Sequence, residues 1–406
     1  MKIAFLSAHF PPDFIGGGEW STKMIAEGMA SLGHEVYVFC GAEKDADEKI
    51  NGVNVRRVRA LRGLWDKPLF EKRKSSIMAK CLKKYLDDGF DIVHAHDFRS
   101  ALALSMLNLD NSFVTVRDFA PICGTTNNML SDGKSCDGCS WKNVLLKCHR
   151  VKEASLPRKP FRVWQYKYNL DFRDQSYKKI IRHIYISNAL KNRVASRMSL
   201  PENNIVIPNP VGREWLSNVD VFPMAKNIVY AGTVEQYKGI GVLLKSFAKL
   251  RKDVSGVKLT IIGSGHVEKY RKFAESIGVA DAVNWTGKLS QDEVRKHFDQ
   301  SFVVVQPSIW EEPFGRTVIE AYARGRAVVA SNIGGLKETF KDGTGVLVKP
   351  GSVDELYLAL KKIVSDKENA QKMGMLARNY VEQNFTVENI AGKYIDFYNL
   401  THQNHS

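Results

Sequence analysis

Short β-branched runs alternate with amphipathic helical stretches through nearly all of this 406-residue sequence, and the alternation runs through twice. KIAFLSA reads as a strand, a glycine-rich turn follows, and STKMIAEGMASLG reads as a helix that stops at Gly33. HEVYVFC, DIVHAH, SFVTVRD and HIYIS are further strands, and Ser187 is placed to cap the helix NALKNRVASR. After IVIPNPVG the pattern restarts with NIVYAG, a helix from Gly239 to Leu250, KLTIIGSG, and the helix VEKYRKFAESIG. AVNWTG, FVVVQPS, AVVASN and GVLVKP are four more strands with helices between them. Parallel strands need a crossover and helices supply it, so this order predicts two α/β domains, each a Rossmann-like parallel sheet covered on both faces. The join falls near 208–225, rich in Pro and Gly, which sets the domains at 1–207 and 208–386. Residues 110–178 interrupt the first domain, with an insertion at about 119–178 that holds Pro121, Pro157 and Pro160 and shows no clear periodicity.

Open parallel sheets take ligands at the carboxyl ends of their strands, and two such domains facing each other would make a cleft. The chemistry is therefore expected in loops that follow strands. In FPPDFIGGGEW, three glycines let backbone amides approach a ligand, and the next helix start suits a diphosphate. A tight turn needed only for packing explains that loop as well. In AGTVEQYKGIGVLL, Lys238 stands just before a helix, where its ammonium could neutralise a diphosphate. The strongest signal is PSIWEEPFGRTVIEAYARGRAVVAS. Pro313 keeps Glu312 in the loop, Gly315 opens a helix, and Glu320 lies about one turn inside it. Amides of Gly315, Arg316 and Thr317 at that helix start form an anion site. The helix dipole alone accounts for an acid such as Glu311 or Glu312, but not for Glu320 inside the apolar stretch IEAYA.

The formal net charge of +15 is concentrated. Residues 56–84 hold eleven Lys/Arg against two acids, and residues 142–182 hold twelve against three, so these two segments exceed the whole excess. Lipid headgroups, a phosphorylated acceptor or nucleic acid would suit them; so would plain solvation. No run of eighteen apolar residues occurs. MKIAFLSAHFPP reads as a first strand rather than a signal peptide, so a cytoplasmic location is expected. Four of the six cysteines, Cys123, Cys136, Cys139 and Cys148, are spaced C-x12-C-x2-C-x8-C. A structural metal, zinc first, and free or redox-active thiols are both open for them, because the flanking spacings match no common zinc ribbon.

At these residues the sequence resembles the retaining glycosyltransferases of family 4, which have the GT-B fold. The matching motifs are PP-x3-GG-x-E, GHEVYVF, DIVHAHD, IPNPV, G-x5-KG, IIGSG, WTGKL, E-x7-E from Glu312 to Glu320, and G-x-LV, in the family's order. The resemblance implies that the second domain holds a nucleotide-diphospho-sugar and the first an acceptor. By match, Glu312 would bind donor-sugar hydroxyls and Glu320 the ribose. Lys238 and the amides of Gly16, Gly17, Arg316 and Thr317 would hold the diphosphate, with Phe314 and Gly315 in the same donor loop, and Leu289 would meet the base through its backbone. No cofactor or catalytic metal is implied. The final helix, 387–406, would cross back to complete the first domain.

Two departures stand out. Thr233 occupies the place of an arginine in the family's G-R-x4-KG, and the Arg316 side chain is the candidate to compensate. In TVRDF, Arg117 replaces a histidine, and arginine cannot serve as a base, so His96 or Asp118 would handle protons while Arg117 stabilised charge. His94 and His96 of VHAH are expected on opposite strand faces, with His96 towards the ligand. The expected reaction is retaining transfer, and the basic segments suggest an acceptor that is lipid-linked or a growing cell-surface polysaccharide, with the enzyme peripheral on an anionic membrane and no nucleic-acid partner. A catalytically silent homologue acting as a binding subunit is the alternative. A nicotinamide oxidoreductase would need G-x-G-x-x-G, and IIGSGHVEKY lacks the third glycine.

Overall fold

The computed structural model of the chain describes residues 1–13, 16–64, 70–130, 135–148, 159–219 and 222–402. Its contacts form two compact units, Met1–Pro210 with Val387–Ser406, and Val211–Thr386. The first unit is built on an eight-stranded sheet of β1 (Lys2–Ser7), β2 (Glu35–Gly41), β3 (Ala46–Ile50), β4 (Val53–Val58), β5 (Ile92–Ala95), β6 (Ser112–Val116), β7 (Arg182–Tyr185) and β8 (Asn203–Val206). The order is β3-β4-β2-β1-β5-β6-β7-β8, and only the β3–β4 pair is antiparallel. Strands such as β5 and β6 are buried at every position, as a sheet covered on both faces requires. The edge strand β3, ADEKI, is instead mostly charged, which blunts pairing with another sheet.

The second unit has a six-stranded, wholly parallel sheet of β9 (Asn227–Ala231), β10 (Lys258–Ile262), β11 (Val283–Gly287), β12 (Val303–Gln306), β13 (Ala327–Ser331) and β14 (Gly345–Val348), ordered β11-β10-β9-β12-β13-β14. In both sheets the winding reverses once, between β1 and β5 and between β9 and β12. Loops leaving neighbouring strands diverge at such a point, and the crevice they leave is where open α/β sheets take ligands.

The first unit's helices are α1 (Gly17–Ser31), α2 (Glu71–Leu86), α3 (Phe98–Leu104), α4 (Trp141–Leu146), α5 (Lys159–Lys179) and α6 (Asn188–Ala195). The second unit's are α7 (Ile240–Asp253), α8 (Val267–Ser276), α9 (Gln291–Asp299), α10 (Arg316–Ala323), α11 (Val353–Val364) and α12 (Lys367–Asn384). The last helix, α13 (Val387–His402), lies in the first unit. Its Ile390, Ala391, Tyr394, Phe397 and Tyr398 share a buried cluster with Ile3 and Phe5 of β1 and Ile25 and Met29 of α1. The α1–α13 approach is close: a Cβ on Gly28 would stand 2.7 Å from Val387 Cγ1 and 2.9 Å from the Ala391 Cβ.

The insertion differs from its sequence reading. Where no periodicity was legible, α5 runs for 21 residues. Its buried side is made of Val163, Tyr166, Arg173 and Tyr177, so aromatic and charged residues do the inward packing that aliphatic residues do elsewhere.

Candidate functional site

In the second unit, the loop after β9 ends in a single turn, Gln236–Lys238, and Gly239 follows at φ +78°. A Cβ there would fall 1.9 Å from the carbonyl oxygen of Pro307, so only glycine lets this loop seat against the loop after β12. Ile309 N donates to Tyr237 O at 2.8 Å and fastens the two loops together. Lys238 Nζ consequently stands 2.6 Å from Glu312 Oε1, and Ser308 Oγ donates to the same oxygen at 2.6 Å. The ammonium is also 5.3 Å from the centroid of Trp310 and 5.8 Å from that of Tyr237, within cation–π range. Little of either charge is solvated, with 15% of the lysine side chain and 9% of the glutamate exposed.

Gly335 N donates to Glu312 O at 2.7 Å, holding the same loop from the β13 side. Just beyond, Gly315 precedes α10, whose first amides, those of Arg316 and Thr317, lie outside the intrahelical ladder. Phe314 is partly buried in the core beneath this turn, 6.5 Å from Phe385. Glu320, one turn in, is 8% exposed and takes Arg316 Nη2 at 2.8 Å and Nε at 3.2 Å. Burial pushes its carboxyl upward, and Arg316 pulls against that shift. The Arg316 guanidinium is therefore engaged by Glu320, and standing in for a cation at Thr233 would mean leaving that carboxylate. Leu289, just past β11, packs part-buried against the same core. This set can present a cation and helix-start amides to a diphosphate, with a carboxylate on either side for hydroxyl groups.

In the first unit, the ends of β1, β5 and β6 converge. Arg117 follows β6 and donates from Nη2 to His96 Nδ1 at 3.1 Å; its Nη1 reaches the Asn209 side-chain oxygen. Accepting at Nδ1 puts the His96 proton on Nε2, which is buried without a hydrogen-bond partner among the described residues. Burial, with His94 and Arg117 adding to it, lowers the His96 pKa well below the ordinary imidazole range, so the ring is neutral. The expectation of opposite faces is corrected: His94 and His96 stack at 4.1 Å, because residues two apart on a strand share a face. Both are buried. His94 is fixed in the core by Tyr398 OH and by Thr115 Oγ1, the latter at 2.9 Å.

Asp118 accepts from Ala120 N at 2.8 Å, and burial raises its pKa to about 6. Arg117 also lies against the start of α1, its Cδ 3.6 Å from the place a Gly18 Cβ would take. The amide of Gly16 donates to Glu19 Oε2 at 2.9 Å, so a carboxylate of the chain already uses that donor; Gly17 begins α1. Sequence reasoning passed over Ser308, Trp310, Asn209 and Asp97. Asp97 accepts from Ala8 N at 2.7 Å and caps α3, joining the β1 and β5 loops. Ser308 and Trp310 lie within the quoted PSIWEE run, and Asn209 within IPNPV, so position in a motif was the available signal.

The cysteines are free thiols. Cys148 packs with Val144, Val163 and Tyr166, and Cys139 lies against that cluster. Burial pushes the Cys139 thiol up to about 11, so it is protonated. Among the described residues, no three or more His, Cys, Asp or Glu side chains are placed to hold a metal, and the zinc expectation gains no support.

The family described as "Glycosyltransferase Family 4" matches residues 15–215, and "Glycosyl transferases group 1" matches residues 214–380. An uncharacterized glycosyltransferase of Methanocaldococcus jannaschii is 26% identical over 98% of both chains. A GDP-mannose-dependent phosphatidylinositol monomannoside mannosyltransferase of Mycobacterium tuberculosis is 31% identical over 47% of this chain and 51% of its own. Sucrose-phosphate synthase of Thermosynechococcus elongatus superposes with a TM-score of 0.73 at 20% identity, over 98% of each chain. HepE of Anabaena, solved with UDP and glucose, superposes at 0.67 and 17%, again over 98% of each. The two parallel-sheet α/β domains are those of GT-B glycosyltransferases.

Proposed function

The chain belongs to the group 1 glycosyltransferases, with an amino-terminal half of family 4, and from this premise we propose a retaining, metal-independent transfer from a nucleotide-diphospho-sugar to an acceptor hydroxyl. The observation that carries the reading is the Lys238–Glu312 pair at the β9/β12 reversal, just ahead of the α10 start and the buried Arg316–Glu320 pair. In the absence of donor the two members of each pair neutralise one another. A diphosphate would draw Lys238 and the α10 amides to itself, freeing Glu312 for sugar hydroxyls, while Glu320 takes the ribose. As the C1–O bond to the phosphate breaks, its electron pair leaves with the diphosphate, where Lys238 and the helix dipole stabilise the charge. The acceptor oxygen bonds to C1 on the face the phosphate leaves, and its proton passes to the departing phosphate oxygen. No enzymic base is then required, which suits a first unit where Arg117 occupies His96 Nδ1 and burial weakens that ring as a base.

The acceptor reading is a lipid-linked or growing cell-surface glycan held by the first unit. It draws support from the basic segments and from relatives named for such work. One is the lipopolysaccharide 1,2-N-acetylglucosaminetransferase of Salmonella typhimurium, 33% identical over 41% of this chain and 46% of its own. The test is a thermal-shift screen against nucleotide sugars: the cognate donor raises the melting temperature by mass action, and Glu320→Ala removes the rise. No rise with any nucleotide sugar would overturn the reading. Measured sugar transfer separates an enzyme from a silent binding subunit.

A further inference from the structure

The inserted segment of the first unit carries large apolar side chains in solvent. On α5, Phe161, Trp164 and Tyr168 recur at i, i+3 and i+7, opposite the buried stripe, and Phe161 and Trp164 are each more than half exposed. Their rings form a row, Phe161 to Trp164 at 5.9 Å and Trp164 to Tyr168 at 5.8 Å. Phe70, at the start of α2, joins it at 5.6 Å from Trp164 and 5.4 Å from Tyr168. On α4, Trp141, Leu145 and Leu146 are exposed as well, and Lys167 Nζ lies 4.9 Å from the Trp141 ring, linking α4 to α5.

This face is held from behind. Arg173, on the opposite side of α5 and 2% exposed, binds Glu71 of α2 at 2.6 and 2.8 Å. It also donates to the carbonyls of Ala120 and Cys123, at 2.9 and 3.0 Å. A buried ion pair thus anchors the helix whose aromatic side faces water. Cations surround the aromatic residues: Lys142, Lys147 and Arg162 are exposed beside them, with Lys72 and Arg73 next to Phe70. Glu71, the acid among these, is turned inward to Arg173, and the stretch 161–168 contains no acid.

We infer that the α4/α5 face is a docking surface for an anionic lipid bilayer. Trp, Tyr and Phe beside aliphatic residues, rimmed by Lys and Arg, match the headgroup boundary, where rings and alkyl groups sink below the phosphates and cations meet them. Protein interfaces are depleted in lysine, which this face has in excess. Nucleic acid would use the rings and the cations, but it offers nothing to Leu145 and Leu146. Among the described residues no helix is long and apolar enough to cross a membrane, so the contact is one of lying on the surface. The inference uses no part of the donor site, and donor binding is measured separately.

The test is sedimentation of the full chain with vesicles of phosphatidylcholine alone and with one-third phosphatidylglycerol, with a single-stranded oligonucleotide as competitor. Binding to the anionic vesicles is expected, weakened roughly tenfold or more by Trp141→Ser, Phe161→Ser and Trp164→Ser together, and likewise by Lys142→Ala, Lys147→Ala and Arg162→Ala together. Both variants should keep the wild-type melting temperature and nucleotide-sugar response. Leu358→Ser with Met375→Ser, exposed apolar positions of the second unit, should bind vesicles as wild type does. Equal binding to both vesicle types, no loss in the aromatic variant, or displacement by the oligonucleotide would each overturn the inference.

Discussion

Lys238 and Glu312 are 74 residues apart in the chain, yet Nζ of one donates to Oε1 of the other at 2.6 Å. Their loops leave β9 and β12, adjacent strands at the point where the sheet reverses its winding, and Gly239 against Pro307 sets how closely they approach. Each charge is largely withdrawn from water, so each depends on the other.

Lys238→Met should therefore cost about 3 kcal/mol of stability, because Glu312 is left buried with Ser308 as its remaining side-chain donor among the described residues. Glu312→Gln should cost about 1 kcal/mol, since the flexible lysine can turn its head to water. Urea melts of both single variants and the double give the coupling. Both singles should lower turnover by about a hundredfold or more.

Gly239→Ala and Gly278→Ala separate close approach from backbone strain. Both glycines have positive φ, +78° and +70°, but nothing lies within 4 Å of a Cβ on Gly278. Thermal melts should show about 1 kcal/mol lost at Gly278 and more than about 3 kcal/mol at Gly239, where the Pro307 carbonyl blocks the methyl group. Equal losses would mean that conformation alone matters.

Glu320→Gln should raise the donor KM by about tenfold to a hundredfold and leave kcat within a few-fold. The proposed contact to the ribose would be the same in ground and transition states, and one hydrogen bond to a charged group is of that size. A fall confined to kcat would place Glu320 at the reacting carbon instead.

Four buried groups of the first unit set its response to acid. Burial lowers His94 and His96 well below the usual imidazole value and His183 to about 4, so the unfolded chain takes up protons below pH 6.5 that the native state refuses. Stability from these three is present above pH 6.5 and falls as pH drops towards 4. Asp118 acts in the opposite sense: with its pKa raised to about 6 from 3.8, the native state gains a proton before the unfolded chain does. Asp118→Asn should therefore be more stable than wild type by about 1–3 kcal/mol at pH 7, and the difference should vanish near pH 4. Urea melts at pH 7, 5 and 4 check both signs.

The strands that a sheet buries on both faces were legible because they are short, apolar runs with turn residues at their ends, as in KLTIIGSG and FVVVQPS. The charged edge strand β3, ADEKI, was not, because an edge position needs no apolar alternation. Helix α5 escaped for a related reason: Tyr166, Arg173 and Tyr177 face inward, and a buried arginine reads as a surface residue until Glu71, 102 residues away, is seen to meet it. Glu312, Glu320 and Lys238 could be picked out singly from loop position, but their pairing depends on strand order. The stacked histidines show a plainer failure, since the spacing of VHAH already placed them on one face.

Helix α13 gives the last sixteen described residues of the chain to the core of the first unit, where Tyr398 closes over His94 and Val387 over Gly28. During synthesis, the amino-terminal sheet waits through the making of the entire second unit before α13 can cover it. The first half therefore leaves the ribosome with Ile3, Phe5 and Ile25 lacking the part of their cover that α13 supplies, so its maturation is tied to the synthesis of the second unit.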